Sequence, residues 1–145
     1  MATVAKILEE KGGGVIRIDG DATVLEAVQA MVEANVGALL VTGSDENEVQ
    51  GIFTERDYLR RVAVQGLGER ETPVRDVMTS PVVVITTETE VEEAMALMTD
   101  RRIRHIPVVE NETLVGMISI GDLVRKQSEQ QSFQIRYLTE YISAG

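Results

Sequence analysis

Two four-residue segments of this chain carry chemistry at matching places: Thr54-Glu55-Arg56-Asp57 and Ser119-Ile120-Gly121-Asp122. Each puts a hydroxyl and a carboxylate three residues apart, where an apolar run gives way to a helical pattern. At that spacing both side chains lie on one side of a first helical turn. A carboxylate accepts hydrogen bonds from two neighbouring hydroxyls, and the 2′,3′-diol of a ribose presents that pair. The hydroxyl of Thr54 or Ser119 adds a third contact. The same residues also read as a capping box, in which they satisfy the first N–H groups of a helix. For a single occurrence the cap is the commoner explanation. Recurrence weakens that preference, although duplication alone preserves a cap.

A second cluster is Arg101-Arg102-Ile103-Arg104-His105. Arginine offers a planar fork that suits phosphate, and histidine adds a donor. Arg101 and Arg102 fit a solvated helix C-terminus, where cations favour the dipole. Arg104 and His105 flank a strand and read as functional. Their counterparts earlier in the chain are Gly37 and Ala38.

Catalytic chemistry finds little support. His105 is the only histidine, and Ser119 lacks the Gly-x-Ser-x-Gly elbow that activates a serine nucleophile. One histidine, no cysteine and scattered carboxylates lack metal-ligand spacing. Gly12-Gly13-Gly14 is followed by a strand pattern and not by Gly-Lys-Ser/Thr, so it reads as a flexible loop and not as a phosphate loop. No catalytic residue and no metal site are expected.

These residues sit on a repeated scaffold. Thr3 to Leu8 matches Pro73 to Met78, and Val24, Ala27, Met31 and Val36 match Val91, Ala94, Met98 and Ile103. Gly51-Ile52-Phe53-Thr54-x-x-Asp57 matches Gly116-Met117-Ile118-Ser119-x-x-Asp122. Each repeat predicts a short opening helix followed by a β-α-β-β-α unit. The strands fall at 15–18, 38–42 and 49–54, and again at 82–85, 105–109 and 114–119. Apolar spacing of three to four residues marks the helix between the first two strands. Asp21 and Thr87 or Thr89 are its candidate N-caps. A final helix starts at Glu55 and again at Ile120. A unit of some 60 residues is marginal by itself, so the two are expected to pack through the apolar faces of their sheets. The fold class is α/β (α+β), with domains at 3–66 and 72–127, a linker around Gly66 to Glu71, and a helical tail at 128–145. That tail contains Phe133, Ile135, Tyr137, Leu138, Tyr141 and Ile142.

Composition narrows the partners. With 43% hydrophobic and only 3% aromatic residues, the core must be aliphatic. A net charge of −10 repels nucleic acid on average, and no basic run offsets it. No apolar run is long enough for a membrane span, and the N-terminal stretch has no signal-like apolar segment. A cytoplasmic protein is expected.

Taken together, Val77-Met78-Thr79, Ile103-Arg104-His105-Ile106-Pro107-Val108 and the two Gly-x-x-Thr/Ser-x-x-Asp motifs resemble the cystathionine-β-synthase (CBS) domain family. The arrangement is similar to its stand-alone tandem pair, the Bateman module, over about residues 3 to 127. The resemblance implies two sites in the cleft between the repeats, related by a pseudo-two-fold axis. It implies an adenosine-containing ligand: AMP foremost, with ATP, ADP or NAD as alternatives. Asp57 and Asp122 would then hold ribose, with Thr54 and Ser119 assisting. Thr79 and Val82 would line the site of Asp57, and Arg104 and His105 would reach phosphates. Arg56, which has Gly121 as its counterpart, either adds charge to the first site or sits on the helix surface. The resemblance also implies a homodimer and a separate protein effector. The expected function is a regulatory energy- or redox-sensing module and not an enzyme. The alternative is a structural dimerisation module without a physiological nucleotide.

Overall fold

The structure, a computed structural model, describes residues 2–12 and 14–130. Gly13 and the expected tail residues from Gln131 onward, Phe133 to Ile142 among them, lie outside the described residues.

The first repeat contains α1 (Val4–Lys11), β1 (Arg17–Asp19), α2 (Val24–Ala34), β2 (Ala38–Thr42), β3 (Val49–Thr54) and α3 (Glu55–Asp57). A π-helical turn, Tyr58–Ala63, continues α3, where a uniform α-helix was expected. The second repeat opens with a 3₁₀ turn, Val74–Asp76, in place of a helix. It continues with β4 (Ile85–Thr86), α4 (Val91–Arg101), β5 (His105–Glu110), β6 (Thr113–Ser119) and α5 (Ile120–Gln130). Residues 128–130, assigned by the sequence to a separate tail, simply extend α5.

Each repeat forms one three-stranded sheet, in the orders β1-β2-β3 and β4-β5-β6. The outer pair is parallel and the hairpin antiparallel. Both hairpins change register at the same repeat position, Val41/Thr42 and Val108/Val109. Strand β2, Ala-Leu-Leu-Val-Thr, is buried along its whole length. Leu39 and Val41 face α2, whereas Ala38 and Leu40 pack with Leu114, Val109 and Met117 of the other sheet. A strand covered on both faces reads as a continuous apolar run. The two sheets meet face to face there, as the repeat predicts.

The first and fourth strands are shorter than expected. Only Arg17–Asp19 and Ile85–Thr86 enter the parallel ladder. Val82 lies outside it and is packed, half-buried, in the layer between the sheets. The N-caps also differ from expectation. Thr23 caps α2 in a capping box with Glu26, and Glu90 begins α4 with Glu93 as its box partner. Asp21 instead pairs with Arg75. The carbonyls of Thr87 and Thr89 accept hydrogen bonds from the backbone N–H groups of Ala5 and Val4.

Those last bonds reveal an exchange. Val4 and Ile7 of α1 belong to the core of the second repeat, with Ile85, Val91, Met98 and Leu123. Val74 and Val77, which open the second repeat, belong to the core of the first, with Val24, Leu39 and Phe53. Matched backbone bonds fasten both openers: Val91 N to the Ala2 carbonyl at 3.1 Å, and Val24 N to the Thr72 carbonyl at 2.9 Å. Burying each of these valine and isoleucine side chains contributes about 1.5–3 kcal/mol. The two repeats therefore complete each other's cores.

Candidate functional site

At the first site, β3 delivers Thr54 and the turn into α3 delivers Asp57. Asp57 is 7% exposed, one of two buried polar residues among those described. Its Oδ2 accepts from Thr54 N at 3.0 Å and from Thr54 Oγ1 at 3.1 Å. Asp57 N donates to Thr54 Oγ1 at 3.2 Å, closing a capping box. Its Oδ1 accepts from the Thr79 hydroxyl at 2.8 Å. A carboxylate has about four acceptor positions, so these three donors leave limited capacity. A ribose diol must displace one of the hydroxyls or share with them.

Thr79 is fixed by its backbone, with Thr79 N to the Ile52 carbonyl at 2.8 Å and Ile52 N to the Thr79 carbonyl at 3.0 Å. Close approach explains Gly51. A Cβ there would lie 2.5 Å from Met78 Sδ and 2.8 Å from the Thr79 carbonyl oxygen.

Arg56 is exposed, and the described contacts do not bring it to Asp57. Arg61 comes instead. Its Nη1 donates to the Met78 carbonyl at 2.7 Å, and its Nε lies 3.9 Å from Asp57 Oδ1. The signal was present in the sequence as a cation one helical turn beyond Asp57.

At the second site, Asp122 Oδ2 accepts from Ser119 N at 2.9 Å, and Asp122 N donates to Ser119 Oγ at 3.1 Å. Among the described residues, no threonine enters as Thr79 does. Lys11, the last residue of α1, reaches in, its Nζ donating to Asp122 Oδ2 at 2.9 Å and to the Met117 carbonyl at 2.9 Å. Met117 is the repeat counterpart of Ile52. One ammonium thus takes over the two bonds that Thr79 makes through its amide and its hydroxyl. Burial opposes ionisation of Asp122, but the Ser119 N–H and the Lys11 ammonium outweigh it. They hold the carboxyl below its ordinary range. Ile7, Glu10, Lys11, Asp122, Arg125 and Lys126 line a cavity of about 250 Å³.

Arg104 and His105 fall beside this second site. His105 pairs with Ser119 in the β5–β6 ladder, and Ile120 N donates to the Arg104 carbonyl at 2.9 Å. The His105 side chain is half-buried. Burial pushes its pKa below the ordinary histidine value; Lys11 and Arg104 reinforce the shift, and Asp122 and Glu55 oppose it. The counterpart of Arg104 is Gly37, where a Cβ would lie 2.6 Å from Glu55 Oε1. A larger residue there would require the exposed Glu55 side chain to turn aside.

A separate groove of about 400 Å³ runs along the outside of the first repeat, between α2 and α3. Val28, Val32, Val36, Tyr58 and Leu59 line it. Among the described residues, no group of three or more metal-ligating side chains converges. No described helix is long and apolar enough to cross a membrane.

The chain as a whole has close parallels among known proteins. A mitochondrial CBS domain-containing protein of Arabidopsis thaliana, CBSX3, is 42% identical over 150 residues, spanning 99% of this chain and 73% of that protein. A solved Burkholderia ambifaria structure, of a protein with CBS domains named for signal transduction, superposes with TM-score 0.85 at 39% identity. It covers 93% of this chain and 100% of that one. A hexameric CBS-CP12 protein from bloom-forming cyanobacteria superposes with TM-score 0.79 at 31% identity, over 99% of this chain and 82% of that one. The family model for the CBS domain matches twice, at residues 13–64 and 74–129, and the chain belongs to the CBS domain family.

Proposed function

We propose that this protein is a regulatory module that binds an adenine nucleotide in the cleft between its repeats and is not itself an enzyme. The observation that carries this reading is the matched pair Asp57 and Asp122. Each stands at the same strand-to-helix turn, with a hydroxyl partner and a cation within reach. A ribose diol on Asp57, with Thr54 and Thr79 sharing its hydrogen bonds, is the chemistry this set favours. Val82 supplies an apolar wall beside it. Arg104 and His105 supply donors for phosphate near Asp122. AMP is the leading candidate, with ADP, ATP and NAD behind it. The functional units correspond to residues 3–66 and 72–127.

Ligand binding acts by changing the balance between shapes that do and do not engage a separate protein. The groove of the first repeat favours pairing of two copies. Val32 is 75% exposed and Leu59 is 59% exposed on it, and burial of such a patch drives association. Val32→Glu combined with Leu59→Glu should yield monomers in analytical ultracentrifugation.

A second reading has its own support. Both aspartates already cap helices, and a scaffold that only dimerises needs no more. Thermal unfolding of ligand-free protein with AMP, ADP, ATP, NAD and S-adenosylmethionine separates the two. A ligand at 100 times its dissociation constant stabilises by about 2.7 kcal/mol, a shift of several degrees at this size. A flat response to all five favours the scaffold.

A further inference from the structure

We propose that Lys11 is a built-in competitor at the second site: its ammonium pairs with the Asp122 carboxylate through Oδ2 and makes the two sites of the cleft unequal. The inference rests on the nucleotide-binding reading above and adds a regulatory element to it.

The case comes from comparing the repeats. At the first site, the donor opposite the aspartate is a neutral hydroxyl, Thr79 Oγ1, at 2.8 Å. A hydroxyl is a donor that a ribose hydroxyl replaces like for like. At the second site the donor is the Lys11 ammonium, at 2.9 Å from Asp122 Oδ2, which also accepts from Ser119 N, and it is held in place by the Met117 carbonyl at 2.9 Å; Arg125 Nη1 lies 3.7 Å from the other oxygen, Oδ1. Both bonds end on a carboxylate, but only the Lys11 bond joins two full charges, so breaking it also gives up an ion-pair attraction. A neutral diol therefore displaces Thr79 more readily than it displaces Lys11. Asp122 is also little exposed, its side chain at 12%, so the pair is partly shielded from solvent.

Lys11 has the means to leave. It ends α1, its side chain is 44% exposed, and Gly12 and Gly14 follow it with φ of +88° and +116°. The charged cavity alongside holds Glu10 and Glu129, which pair with Lys126 and would share it with the displaced ammonium. The second site thus has a closed arrangement, with Lys11 on Asp122, and an open one, with the carboxylate available.

The single histidine gives a local reporter, because His105 faces Ser119 across the β5–β6 ladder. AMP is titrated into wild type, Lys11→Met, Lys11→Arg and Lys6→Met, with heat measured by calorimetry and the His105 imidazole followed by NMR. The first site should fill at low AMP in all four proteins. The His105 response should come at AMP concentrations lower by roughly tenfold in Lys11→Met than in wild type. Lys11→Arg, which keeps a cation, should stay within a few-fold of wild type. Lys6→Met removes the same charge one turn away and should behave as wild type. A His105 midpoint that is unchanged or raised in Lys11→Met overturns the proposal, because Lys11 is then neutral or a ligand contact. Absence of binding heat in every protein overturns the nucleotide reading itself, and this inference falls with it.

Discussion

The Thr79 hydroxyl donates to Asp57 Oδ1 across 22 residues of sequence, from the start of the second repeat to the helical turn that follows β3 in the first. The bond ties the candidate ribose carboxylate of the first repeat to the opening segment of the second. Removing it should be measurable without any ligand. Thr79→Val keeps the shape and the backbone bridge to Ile52 but leaves Asp57 one donor short. Stability should fall by about 1–2 kcal/mol, seen as a lower urea midpoint with an unchanged slope. An unchanged midpoint would mean that the hydroxyl contributes nothing to the fold.

The two matched glycines should respond unequally to alanine. At Gly51 the new Cβ meets both Met78 Sδ and the Thr79 backbone carbonyl, at 2.5 and 2.8 Å. At Gly116 the nearest atoms all belong to the Leu8 side chain, the closest at 2.5 Å. A side chain can turn aside where a backbone carbonyl cannot. Gly51→Ala should cost about 1–3 kcal/mol and Gly116→Ala clearly less, measured by chemical denaturation of both variants.

His105 gives a pH dependence with a defined sign. Burial holds its folded-state pKa below the 6.5 of a free histidine. Between those values the unfolded chain binds more protons, so stability rises with pH. The contribution is present above about 6.5 and is lost as pH falls through the lower folded value. Asp122 is also depressed, but its loss begins only below the ordinary carboxylate value of 3.8. Stability measured from pH 7.5 to 5 should therefore slope downward toward acid in wild type and flatten in His105→Gln. Equal slopes in both would remove His105 as the source.

The exchange of openers predicts crossed effects. Val4→Ala cuts into the core of the second repeat and Val74→Ala into that of the first. Each should cost about 2 kcal/mol. In hydrogen exchange, Val4→Ala should lower protection mainly in β4–β6, and Val74→Ala mainly in β1–β3. Loss confined to the repeat that carries the mutation in sequence would contradict the exchange.

Those openers also show where sequence reading stops. The bounds of β2 and β3 were legible because Ala38–Thr42 is apolar throughout and polar turns flank the hairpin. The short ladders of β1 and β4 were not, because Val82 to Val84 is strand-like in composition yet lies outside the parallel pairing. Periodicity shows that Val4 and Ile7 share an apolar face of α1, but not which sheet that face covers. The carboxylates of the site were legible from their recurrence. Lys11 was not, since no lysine occupies the matching position in the second repeat and its partner, Asp122, lies 111 residues away. Arg56 drew attention by adjacency to Asp57, whereas helical geometry brings Arg61 to that carboxylate.

Nucleotide binding at the paired aspartates is tested most directly by calorimetric titration of AMP into ligand-free protein. Wild type, Asp57→Ala and Asp122→Ala would be compared, with circular dichroism showing that each remains folded. Saturable binding in wild type that loses its strong step in Asp57→Ala is the predicted result. Binding that is absent in wild type, or identical in all three proteins, would contradict the claim.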